Sequence, residues 1–158
     1  MSVLAALRPD SWDFPLLLHV LGAAVLVGAL LTAGAAQLVG WRESAPAAAL
    51  TWARITFFAL LAIAIPAWIL MRVAGEWIAS EEGFEGENVP TWVEIGYVTA
   101  DPGGGLILIA TVLAGFGLRR LRARGRATSG LSRAAGAVTL ILLLAYLVTV
   151  WAMTTKPS

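Results

Sequence analysis

The order of apolar and polar residues divides the chain into four long apolar runs separated by polar connections. The first extends from Phe14 to Val39, interrupted only by His19, Thr32, Gln37 and small residues. The second covers 47–74, with Arg54 and Arg72 toward its two ends. The third is short in its apolar part, Gly105 to Leu118. It gains length from Pro102, Gly103 and Gly104 on one side and from the long stems of Arg119 and Arg120 on the other, giving 102–122. The fourth covers 134–154 and contains no charged residue. At ~1.5 Å of rise per residue, runs of this length match the ~30 Å hydrocarbon layer of a bilayer. No water is present there to satisfy an open backbone, so the runs predict helices. β-Barrel strands would be about ten residues long with strict alternation, and the runs show neither property. The expected fold is all-α: one transmembrane domain over 1–158, a four-helix bundle integral to the membrane.

The run boundaries carry the local chemistry of helix starts. Asp13 precedes Phe14-Pro15 and Asp101 precedes Pro102. A short carboxylate accepts from free first-turn amides, and proline costs little where its missing N–H has no partner. Ser44 before Pro46, and Ser129 or Ser132 before the fourth run, are weaker versions. Trp12, Trp41, Trp52, Trp77 and Trp151 fall near run ends, as in the aromatic belts of membrane interfaces. Pro66 inside the second run predicts a kink. The connection over 75–101 reads as a long acidic loop. Within it, 88–96 has the cap, early proline, apolar face and terminal glycine of a short interfacial helix. Ala33-Gly34-Ala35 has the form of a signal-peptide cleavage site. The apolar stretch before it exceeds the usual ~7–15 residues, and Asp10 and Asp13 outnumber Arg8, so the first run reads as a helix of the mature protein.

Composition agrees with the pattern. Of 158 residues 59% are apolar and 13% charged, about half the ~25% charged residues of soluble proteins, and the mean hydropathy is +0.81. The absence of cysteine excludes disulfides, thiolate metal sites and cysteine nucleophiles. The single histidine excludes bis-histidine haem ligation or a multi-histidine zinc site within one chain. The net charge of +1 conceals a sorting of signs. Over 119–133 stand Arg119, Arg120, Arg122, Arg124, Arg126 and Arg133 with no acid. Over 75–104 stand Glu76, Glu81, Glu82, Glu85, Glu87, Glu94 and Asp101 with no base. Arginine excess marks cytoplasmic connections. The expected topology therefore has a basic inner loop over 119–133, the acidic loop outside, and both chain ends outside (N-out and C-out). The arginine loop reads as a topogenic, leaflet-binding segment. It lacks the interleaved aromatics that stack on bases, so no nucleic-acid partner is expected.

Small residues at Ala24, Gly28 and Thr32 form small-xxx-small pairs that suit close helix packing. This would make the first helix central in the bundle, or alternatively the seam of a homo-oligomer. Chemistry-bearing side chains concentrate toward the outer halves: His19, Trp68, Met71, Arg72, Tyr146, Trp151 and Met153, with Glu94 and Asp101 near enough to fold over them. An ionisable group within a membrane is a functional candidate, and histidine and methionine bind soft or redox-active metals. His19, Met71 and Met153 are therefore candidate ligands for haem or copper. The competing reading makes His19 a structural contact to a helix carbonyl, Tyr146 or a water, and pairs Arg72 with Glu76. The carboxylates of 81–87 offer cation ligands without a fixed geometry. No Ser/His/Asp set or paired-carboxylate site is visible, and Asp101-Pro102-Gly103-Gly104-Gly105 lacks the Lys-Ser/Thr of a phosphate loop.

The stretch Leu18-His19-Val20-Leu21-Gly22-Ala23-Ala24-Val25-Leu26-Val27-Gly28 resembles the first helix of the copper-resistance D-like membrane proteins. It also resembles that of a family of small, uncharacterised bacterial four-helix membrane proteins. Arg54, Gly75-Glu76-Trp77 and the ending Trp151-Ala152-Met153-Thr154-Thr155-Lys156-Pro157 are similar to the second family. The resemblance implies a four-helix fold in a bacterial inner membrane and a role for His19, and its copper-resistance branch is associated with copper movement across that membrane. Two functions follow as expectations. One is a non-catalytic accessory or scaffold component that docks a membrane-protein partner. The other is a small haem- or copper-handling redox protein using His19. A transporter ranks behind both, because four helices without inverted repeats would need to oligomerise.

Overall fold

A computed structural model of the chain describes residues 13–84, 89–124 and 130–155. Arg126, Trp12, Glu85, Glu87, Asn88 and Ser129, singled out above, lie outside the described residues, and so does the side chain of Arg124. Four long helices account for nearly all of the rest: α1 (Asp13–Arg42), α2 (Pro46–Glu82), α3 (Thr91–Arg124) and α4 (Gly130–Thr155). Each is long and apolar enough to cross a membrane.

Two helices are longer than the apolar runs indicate. α2 continues to Glu82 and ends on Gly83, whose φ of 68° lies in the left-handed region that glycine adopts without strain. Glu76 and Glu81 are therefore helical residues, and the expected acidic loop over 75–101 is reduced to the connection between Glu82 and Thr91. The segment expected as a separate interfacial helix forms the first turns of α3, which runs through Pro102 without interruption. Asp101 is thus an interior residue and not a cap. The reason is tertiary. Pro102 lacks the N–H that would bond the Val98 carbonyl, yet the turn is held by an ion pair from Asp101 to Arg72 and by the Trp68 indole donating to the Ala100 carbonyl at 2.8 Å. Gly103 and Gly104 allow this closeness: a Cβ on either would collide with Tyr146 or with Trp68.

The disturbance expected at Pro66 takes a specific form. Residues Ala59–Ala64 adopt π-helical geometry immediately before Pro66, between α-helical segments Pro46–Phe58 and Ile65–Glu82. A wider turn relieves the clash between a proline ring and the preceding carbonyls without breaking the helix.

The helices form an antiparallel ring in chain order. α1 meets α2 where Gly22 lies against Met71 and Ala33 against Thr56. α2 meets α3 at Trp68–Ala100 and Phe57–Gly115, and α3 meets α4 at Thr99–Thr149 and Gly117–Ser132. α4 returns to α1 at Leu140–Gly34 and Ser132–Gln37. The core is rich in alanine, with Leu26, Leu30, Leu60 and Ile107 as its largest fully buried aliphatic side chains. Small residues bring backbones close where no hydrophobic drive separates protein from lipid. The outward surface carries Leu17, Val73, Leu108, Val112, Ile141 and Leu144, each more than half exposed. A soluble monomer does not present apolar area of that extent to water.

Ala24, Gly28 and Thr32 lie on this outward surface. A Cβ at Gly28 would meet nothing within 4 Å. The close-packing face of α1 is instead Gly22, Leu26, Ala29, Leu30 and Ala33. α1 was expected to pack through the first set within the bundle or, alternatively, to use it as the seam of a homo-oligomer, and within the bundle the first set is not the packing face. α1 packs through the second because its composition is apolar all round and leaves the choice of face to its neighbours.

The charges sort by end of the bundle. Exposed Arg42, Arg54, Arg119, Arg120, Arg122 and Arg133 gather where α1 and α3 finish and α2 and α4 start. Asp13, Glu76, Glu81, Glu82, Glu94 and Asp101 gather at the other end. These are called the basic and acidic ends below.

Candidate functional site

In the acidic half the four helices enclose a cavity of about 490 Å³. That lies within the ~300–1,000 Å³ range of small-molecule sites. The structure brings together His19, Met71, Arg72, Tyr146 and Met153 on its walls. The other residues singled out in the sequence stand outside it. Trp68 lies behind Tyr146 with its indole committed to Ala100. Trp151 is 59% exposed on the outer surface of α4, and Glu94 is exposed on α3. Asp101 reaches the site only through Arg72.

His19 is the polar centre of the cavity. Its Nδ1 lies 2.8 Å from the carbonyl oxygen of Met71. A carbonyl oxygen only accepts, so Nδ1 carries the proton. In the neutral form of the ring Nε2 is then the acceptor. The expectation of a helix-carbonyl partner for His19 is met, and it leaves the second nitrogen available as an acceptor. The ring is seated against Gly75, where a Cβ would come within 3.0 Å of Nδ1. Metal-bound imidazoles also hold their second N–H on a carbonyl or carboxylate, so this geometry suits either a hydrogen bond or a ligand bond at Nε2.

Arg72 closes the acidic end of the site. Its Nε donates to Asp101 Oδ1 at 2.7 Å, its Nη1 pairs with Glu76 one turn on, and its guanidinium lies 5.0 Å from the centre of the Tyr97 ring. The expected pairing with Glu76 is present, and the pairing with Asp101 adds a tie from α2 to α3. Two carboxylates already satisfy this one cation, and Glu82 also lines the cavity.

Met71 is buried and Met153 half-buried, each on a different wall. Met153 packs with its methyl against Gly96, where a Cβ would displace it. Tyr146 is 3% exposed, and its hydroxyl, wedged beside Gly103, makes no hydrogen bond of good geometry. Among the described residues no three His, Asp or Glu side chains converge on a metal-sized site.

Sequence reasoning counted Gly22 among the small residues of the first helix without its partner Met71, and it missed Gly75 and Gly96 as the glycines against which His19 and Met153 pack. It also missed the wall formed by α3. That wall was legible in outline, since Trp92, Gly96, Tyr97 and Ala100 recur at helical spacing and all line the cavity. No family model matches this chain, and no curated protein or solved structure matches it either.

Proposed function

We propose that the chain is a multi-pass protein of the cell (inner) membrane that holds a small amphipathic molecule in its acidic-half cavity and serves as a non-catalytic accessory component. The observation that carries this reading is His19, which lines a mostly apolar cavity with Nδ1 held on the Met71 carbonyl, so that in the neutral ring Nε2 is left as the acceptor. A few placed polar groups within mostly apolar walls are the usual composition of a ligand site. The sorted arginines support the finer topology, with the basic end in the cytoplasm and the acidic end outside. The likeness of the α1 sequence to the small bacterial four-helix family supports the same placement. The test is extraction in mild detergent followed by mass spectrometry of co-purifying small molecules. A molecule retained by the wild type and lost from His19→Phe is the expected result. A cavity equally empty in both refutes the reading.

A second reading is favoured by the carbonyl-tethered Nδ1. His19 would ligate haem or copper through Nε2, with Met71 or Met153 as the further ligand. It predicts a Soret band or stoichiometric copper in protein from cofactor-replete cells, lost on His19→Ala. A colourless, metal-free preparation removes it.

A further inference from the structure

The walls of the cavity differ in how closed they are. α1 and α2 are sealed by Gly22 on the Met71 backbone, where a Cβ would stand 2.7 Å from the amide nitrogen. α2 and α3 are sealed by the Trp68–Ala100 hydrogen bond and the Arg72–Asp101 ion pair. α3 and α4 are sealed by Thr149 Oγ1 at 2.9 Å from Thr99 Oγ1 and by Met153 on Gly96. The contacts that join α4 to α1 at Leu140–Gly34, Ser132–Gln37 and Gly136–Trp41 all lie toward the basic end. Among the described residues that line the cavity, the exposed ones are Val20 on α1 and Val150 and Thr154 on α4. Val20 is 55% and Val150 41% exposed.

We infer that the cavity opens sideways into the bilayer between α1 and α4, and that its occupant is a membrane-soluble amphiphile whose head donates a hydrogen bond and carries no negative charge. This rests on the ligand-holding reading above. The mouth is framed by two valines on the lipid-facing surface, so the occupant arrives from the hydrocarbon phase and not from water. Inside, His19 Nε2 accepts a hydrogen bond, which a hydroxyl or amine head supplies. An anionic head finds no free cation, because Arg72 is held by Glu76 and Asp101 and shares the cavity with Glu82. It would meet repulsion where it sought a partner.

The chain has no cysteine, so engineered pairs report without background. The test uses the full chain in phosphatidylcholine nanodiscs with a photoactivatable long-chain alcohol, the matching fatty acid and the matching amine. Labelled residues are mapped by mass spectrometry. The alcohol and the amine are each expected to label the cavity walls about tenfold more than the acid, the factor one well-placed hydrogen bond supplies. Linking Val20→Cys to Val150→Cys with a bifunctional maleimide should abolish that labelling, as should Val150→Trp, which leaves His19 and its partner untouched. Labelling by the acid equal to that by the alcohol overturns the assignment of the head. Undiminished labelling of the linked pair and of Val150→Trp overturns the lateral mouth. Absence of cavity labelling by all three probes removes the ligand-holding reading itself.

Discussion

The imidazole of His19 donates its Nδ1 proton across 52 residues of chain to the main-chain carbonyl of Met71, at 2.8 Å. The bond does two things together. It ties α1 to α2 beside the Gly22 contact, and in the neutral ring it leaves Nε2 as the acceptor of a residue that lines the cavity. A structural and a functional role for His19 are therefore compatible.

The two glycines of α1 should behave oppositely. Gly22→Ala forces a methyl onto the Met71 backbone and is expected to cost ~1–3 kcal/mol, the range of overpacked cores. Gly28→Leu projects into open space and should stay within ~0.5 kcal/mol of the wild type. Thermal unfolding in detergent, followed by circular dichroism, measures both. Loss of stability in Gly28→Leu would return that stripe to the packing role expected of it.

Arg72 and Asp101 should couple weakly and in a salt-dependent manner. Both are partly exposed, with side-chain accessibilities of 24% and 58%. A double-mutant cycle with Arg72→Ala and Asp101→Ala is expected to give ~0.5–1 kcal/mol at low ionic strength. The value should fall as salt is added. A salt-independent value would place the pair in a drier setting than the structure does.

Tyr146→Phe removes a buried hydroxyl that makes no hydrogen bond of good geometry. Deleting an unsatisfied polar group relieves a desolvation cost, so the variant should match the wild type or exceed it by up to ~1 kcal/mol. A melting temperature clearly below that of the wild type would reveal a partner for the hydroxyl.

The proposed topology is open to direct labelling. Glu94→Cys at the acidic end and Arg120→Cys at the basic end are both exposed positions in a cysteine-free chain. A membrane-impermeant maleimide should modify Glu94→Cys in intact cells and Arg120→Cys only after permeabilisation. The reverse pattern would invert the protein.

What was legible in the sequence was whatever the bilayer dictates. Four runs of sufficient length had to be helices, and opposite charges had to separate toward opposite ends, because neither depends on which side chain meets which. What depends on partners was not legible. Asp101-Pro102 has the local chemistry of a helix start, yet α3 passes through it because Arg72 and Trp68 hold that turn from another helix. Ala24, Gly28 and Thr32 have the spacing of a packing seam, but so does the Gly22 face, and an all-round apolar helix carries no local sign of which one is buried. Of the site, His19, Met71, Arg72, Tyr146 and Met153 were identifiable as unusual side chains at one level of the membrane. Their glycine seats were not, since a glycine announces a close approach only once its neighbour is known.

The π-helical turn of α2 has a consequence for the phase of the helix. An added residue advances an α-helix by about 100° around its axis. Thr56, below the turn, bonds the Ala33 carbonyl of α1, and Met71, above it, accepts from His19 on the same helix. The segment between these two contacts with α1 is wound at a different pitch from the rest of α2. Ala59–Ala64 works as a phase adjuster: a π-helical turn takes up one residue more than an α-helical turn, so deleting one residue of the segment lets it wind as ordinary α-helix and keeps Met71 and Arg72 on the cavity.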